Sequence, residues 1–190
     1  MTDPFEHRPS SRAEIVAAFD QQARTGQEFL ERLPPPDFFA APPGKWSPCQ
    51  NLRHLTTANS QVALGLVFPR LILRGLFGCS GGTSRDFVTM RSAYHAVLAE
   101  GAQASGRYVP PPEPPPPDPA AARQKVLERW RQSLASLRRR AEGWTEDQLD
   151  VYRLPHPLLG KLTLREMLFF TVYHNTHHLR ILAERQGQAA

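Results

Sequence analysis

Apolar residues along this chain recur at spacings of three and four, the period of helices buried along one face. Ile15, Phe19, Phe29, Leu30 and Leu33 supply the first stripe. Ser11 stands at its head with Glu14 three residues on, a capping box in which each side chain takes the other's orphan backbone N–H. Pro34-Pro35-Pro36 ends this helix, because proline lacks the N–H and collides with the preceding turn. A second stripe, Leu52, Leu55, Ala58, Val62 and Leu66, follows Trp46-Ser47-Pro48. Ser47 is its N-cap, Pro48 suits the first helical position, and Gln50 closes another box. Pro69 or Gly75 is expected to kink or end it.

Gly78 to Ser84 is rich in glycine and serine and reads as a loop. Phe87, Met90, Tyr94 and Val97 then predict an extra short helix ending near Gly101. Eight prolines between Pro110 and Pro119 predict an extended strap. Such a strap can carry the chain the length of a bundle, which a crossover between parallel helices requires. Asp118-Pro119 opens the next helix, with Leu127, Trp130, Leu134, Leu137 and Ala141 on its buried face and Gly143 as its stop. For the last helix Thr163 caps, Glu166 closes the box, and Leu162 can staple onto Met167. This helix runs through Leu168, Val172, Ile181 and Leu182 towards Gly187. No strand pattern, internal repeat or phosphate-binding glycine spacing is evident. The expectation is an all-α four-helix bundle, a single domain over residues 1–190, with a long proline-rich crossover between the second and third main helices.

Composition narrows the function classes. The 190 residues are 41% hydrophobic, enough for a folded core. A net charge of +5 favours acidic partners only weakly. The basic run Arg138-Arg139-Arg140 has no interleaved aromatics and no nucleic-acid motif around it, so it reads as a solvated helix face and no nucleic-acid partner is expected. Cys49 and Cys79 form no CxxC pair, and reduced thiols in a cytoplasmic protein are the simplest reading. The N-terminus MTDPFEHRPSS is polar and lacks a secretory apolar region. Val62 to Phe77 is apolar, but it is short and is interrupted by Arg70 and Arg74; it reads as a buried helix end rather than a membrane span.

The chemistry lies in the histidines. His174 and His178 are four apart on the last helix, so they project from one face and can chelate one ion. His177, three from His174, competes with His178 for that role. Spacing alone is weak evidence, since most helical histidines are surface or core residues. A third ligand is needed from elsewhere, and His54, a polar residue between Leu52 and Leu55, can supply it if the second and last helices pack together. Three imidazoles leave coordination positions open, as in catalytic sites more than structural ones. The site is not that of a zinc protease, because Asn175 stands where the general-base Glu would follow the first His. No catalytic residue is assigned; Glu184 is conceivable as a base by helix position, and Tyr173 and Arg180 could orient a ligand or simply pack. His95 and His156 read as lying away from the site, with His156 in a loop between prolines.

Two motifs resemble a known family. Lys45-Trp46-Ser47 with His54-Leu55 is similar to the opening of the second helix in the DinB-like (DinB/YfiT) superfamily. His156-Pro157-Leu158-Leu159-Gly160-Lys161-Leu162-Thr163-Leu164-Arg165-Glu166, leading to His174 and His178, resembles that family's approach to its last helix and its HxxxH pair. The resemblance implies an up-down-down-up bundle, often a homodimer. It also implies a divalent metal (zinc, nickel or iron) on His54, His174 and His178, favouring His178 over His177. For function it implies a thiol-dependent S-transferase using a low-molecular-weight thiol, or a hydrolase, acting on a small molecule. The alternative is a non-catalytic metal- or ligand-binding stress-response protein.

Overall fold

A computed structural model describes residues 4–112 and 114–188; the first three residues of the polar N-terminus and Glu113 of the proline strap lie outside the described residues. The capping signals read from the sequence set the helix starts. Ser11 and Glu14 cap each other at the head of α1 (Arg12–Glu31). Ser47 and Gln50 do so for α2 (Pro48–Gly65), with Pro48 in its first turn. α3 (Arg70–Phe77) and α4 (Phe87–Ala99) follow, and then a short 3-10 turn over Gly106–Tyr108. Beyond the strap, Asp118 accepts from the N–H of Ala121 to open α5 (Pro119–Glu142). α6 (Glu146–Val151) is a short helix capped by Thr145 and Gln148. α7 (Leu164–Gln188) starts where the Thr163 hydroxyl accepts from the Glu166 N–H at 3.1 Å and Glu166 accepts from the Thr163 N–H at 3.0 Å.

Cross-helix contacts give the direction of each main helix. Arg12, at the start of α1, donates to the carbonyls of Glu142 and Trp144 at the end of α5, so these two run antiparallel. Asn59 meets Ser133, and Arg140 meets the Ala63 carbonyl, so α2 and α5 run parallel. Trp46 meets Arg185 and Asn51 meets His178, so α2 and α7 are antiparallel. Gln22 donates to the Val172 carbonyl at 2.7 Å, while Gly26 abuts Leu179, so α1 and α7 are parallel. The order is up, down, down, up. The parallel α2–α5 pair is what demands the long crossover, and α3, α4 and the strap fill it. α4 lies on the outer side of α7, with Phe87 against Phe169 and Tyr94 against Phe170. Covered by helices on several sides, α7 is buried along most of its length.

Three expectations need correction. A two-stranded antiparallel hairpin, β1 (Arg153–His156) and β2 (Gly160–Thr163), precedes α7. Four residues per strand are too few to show a period, and Pro155 is tolerated because both strands of a lone hairpin are edges. Leu154 and Leu162 pair across the hairpin and are both buried. The short α6 was also not foreseen; it buries only Leu149. Lastly, the stretch from 62 to 77 is not a buried helix end. α2 stops at Gly65, the chain bends by 105°, and α3 buries only Leu73, leaving Leu71 82% and Leu76 63% exposed. Among the described residues no single helix is long and apolar enough to cross a membrane.

Candidate metal centre

Antiparallel packing of α2 against α7 brings His54 to His174 and His178. The His174 Nε2 lies 3.0 Å from the His54 Nε2 and 3.2 Å from the His178 Nε2. The outer nitrogens fix two of the three rings. Asn51 donates its amide N–H to the Ser47 carbonyl at 2.9 Å, which leaves its Oδ1 as the acceptor for the His178 Nδ1–H at 2.7 Å. The Tyr108 carbonyl can only accept, so the His54 Nδ1, 2.7 Å away, carries its proton. Both Nε2 atoms therefore present lone pairs towards His174.

A proton cannot satisfy that cluster. One N–H on the His174 Nε2 could serve only one of its two neighbours. A cation among three lone pairs removes the conflict, and the spacing suits one. Three nitrogens at about 2.0–2.1 Å from a tetrahedral zinc ion stand about 3.3 Å apart. The His174 Nδ1 is buried and has no hydrogen-bond partner among the described residues. Burial, and then the neighbouring imidazoles, hold His174 and His178 well below the usual histidine range; burial lowers His54 too, against the opposing pull of the Tyr108 carbonyl. Neutral imidazole is the form that binds metal.

The helical screw separates His178 from His177. At about 100° per residue, position 178 returns within about 40° of position 174, and position 177 falls about 60° to the other side. α2 approaches on the side of 178. His177 turns towards α4, with ring centroids 6.2 Å from Tyr94 and 6.5 Å from His95. Burial pushes His177 down to about 4, helped by His95.

The triad sits in the wall of a cavity of about 540 Å³, lined by α2, α4, the 3-10 turn, the hairpin and α7. His156, expected in a remote loop, lines the same cavity from β1. Its Nδ1 accepts from the N–H groups of Leu158 and Leu159, its ring packs 4.3 Å from Phe170, and burial lowers it to about 4. Phe170 in turn stacks on His174 at 5.1 Å, and Trp46 stacks on His178 at 6.3 Å. His95 Nε2 and the Tyr173 hydroxyl share a hydrogen bond of 2.6 Å; neither residue lines the cavity. Glu184 is exposed, and Arg180 lies beside Glu6. Asn175 turns away from the triad and joins Trp130 and Asn59 in a buried knot between α2, α5 and α7.

Asn51 and Tyr108 are not singled out by the sequence, and Trp46 and His156, though part of the two motifs, are not placed at the site by it. Asn51 left one signal, a polar residue three before His54 and so on the same face of an apolar helix. The Tyr108 carbonyl left none, since any residue there offers one.

No curated protein matches the chain. Among solved structures, TT2238, described as a four-helix bundle protein, aligns with a TM-score of 0.53 at 16% identity over 92% of this chain and 99% of its own, a likeness of fold. The sequence model of the DinB superfamily matches residues 18–182, a span that takes in α2, α5, most of α1 and α7, and all three converging histidines. The chain belongs to the DinB superfamily.

Proposed function

We propose that this protein is a metal-dependent enzyme of the S-transferase or hydrolase type, with a zinc, nickel or iron ion on His54, His174 and His178. The observation that carries this reading is the convergence of three Nε2 atoms, separated by 3.0 Å and 3.2 Å, on histidines that line a ligand-sized cavity. An ion held there supplies Lewis acidity, lowering the pKa of the water or thiol it binds. The chain's own part is to hold the His178 and His54 rings by way of Asn51 and the Tyr108 carbonyl, and to wall the site with Trp46 and Phe170. His156, with its Nδ1 engaged by two backbone N–H groups, offers its Nε2–H as a hydrogen-bond donor.

One observation favours a second reading, ligand binding without turnover: no carboxylate lines the cavity among the described residues, so a carboxylate general base is missing from it. Two measurements decide. Elemental analysis of tag-free protein should find about one equivalent of divalent metal. Less than about a tenth of an equivalent, unchanged in His178→Ala, would sink the metal site. Metal-loaded protein should then consume thiol or hydrolyse substrate in an electrophile and ester panel well above the His54→Ala control. Full metal occupancy with no turnover would leave the binding protein.

A further inference from the structure

The cavity wall limits what the site can accept. Among the described residues that line it there is no Asp, Glu, Lys or Arg. Away from the histidines the wall is largely apolar, with Val62, Phe77, Leu98 and Met167 among its side chains. At the rim stand Leu64, Phe68 and Leu158, which are 51%, 40% and 38% exposed and continue the apolar surface outward. Arg53, Arg107 and Arg129 line a separate groove that shares His54 and Tyr108 as its wall, and Arg185, which acts on His178, is held at 3.0 Å by the Trp46 carbonyl and does not line the cavity. A charged group in the main cavity would lose its hydration with no counter-charge to meet it. The metal end has the opposite need. A divalent ion on three neutral imidazoles keeps its full charge with no protein carboxylate beside it, so its open side favours an anionic ligand atom.

The geometry points to a ligand with an anionic, metal-binding head and an uncharged, apolar tail lodged between α2, α4 and the hairpin. The head rests on the metal reading above; the tail rests on the cavity wall alone. A tail bearing carboxylates and an ammonium, as in glutathione, fits this wall poorly.

Straight-chain hydroxamic acids from two to eight carbons test both halves on the zinc-loaded full chain. Affinity should rise about fourfold for each added methylene that the cavity buries. The eight-carbon analogue ending in a carboxylate should bind about a hundredfold more weakly than its methyl-ended counterpart. Ala58→Phe, one turn beyond His54 on the cavity wall, should cut the series short. Leu158→Glu at the exposed rim should weaken the long hydroxamates and spare the short ones. The uncharged fluorophore N-phenyl-1-naphthylamine, displaced by n-alkanols from metal-free protein, reads the tail site without the ion. Alkanols ranked by length with no zinc bound would remove the metal reading and keep the tail assignment. Zinc bound with a flat series, or with the carboxylate-ended analogue or glutathione bound as tightly, would overturn the tail assignment and leave the metal site standing.

Discussion

Asn51 shows how much of the site hangs on one amide. Its N–H is spent on the Ser47 carbonyl, so its oxygen must accept from His178, and that bond aims the His178 Nε2 inward. Asn51→Leu keeps the branched shape, with some added volume, and removes the acceptor. It should weaken metal affinity about 10–100-fold with all three ligands in place. Competition with a chromophoric chelator measures this, and an unchanged affinity would show that packing alone orients the ring. His156 makes a separate prediction. Burial lowers it from the ordinary 6.5 to about 4, so the unfolded chain takes up the proton first. Its contribution to stability is intact above pH 6.5 and is lost as the pH falls towards 4. In urea unfolding of metal-free protein, His156→Asn should flatten this stretch by up to about 1.4 kcal/mol per pH unit. Identical slopes in the two proteins would refute it. The triad was legible because polar residues on apolar helical faces stand out. His156 was not, because Pro-His-Pro reads as loop and its burial depends on a hairpin too short to leave a pattern.

At the scale of elements, α1 meets its neighbours at Gly26. A Cβ there would lie 2.5 Å from the Trp130 Cη2 and 3.2 Å from the Leu179 Cδ1. Trp130 is fully buried, and its indole N–H is held by Asn175 at 3.0 Å, so the ring cannot step aside freely. Two effects oppose each other in Gly26→Ala. Helix propensity gains about 1 kcal/mol, while overpacking typically costs about 1–3 kcal/mol. The contact should win, with a net loss of about 1 kcal/mol in chemical denaturation; a more stable variant would mean that the helices separate easily. Helix starts at Ser11, Ser47, Asp118 and Thr163 were legible because a cap and its box are local chemistry. The end of α2 was not. A Cβ on Gly65 would lie 2.7 Å from Leu154, a residue far along the chain, and no local signal reports such a contact.

For the whole molecule, the parallel run of α2 and α5 governs where the site lies. The crossover it requires delivers α4 and the 3-10 turn to the same end of the bundle, where they wall the cavity and place the Tyr108 carbonyl against His54. The eight prolines announced that crossover in the sequence, but not that it would roof the site. The triad also ties α2 to α7, with His54 and His174 120 positions apart in the sequence, so metal binding and global stability are linked. A ligand that binds only the folded state stabilises it by about 4 kcal/mol when its free concentration is a thousandfold above Kd. For a chain of this size, about 1 kcal/mol moves Tm by roughly 2–4 °C, so stripping the ion should lower Tm by about 8–16 °C. His54→Ala should start low, because it leaves two ligands on one helix and none on the other, and should respond little to a chelator. The contrast matters more than either value. A chelator shift of equal size in the native protein and in His54→Ala would place the stabilising ion elsewhere, and no shift in either would mean that these three imidazoles hold none.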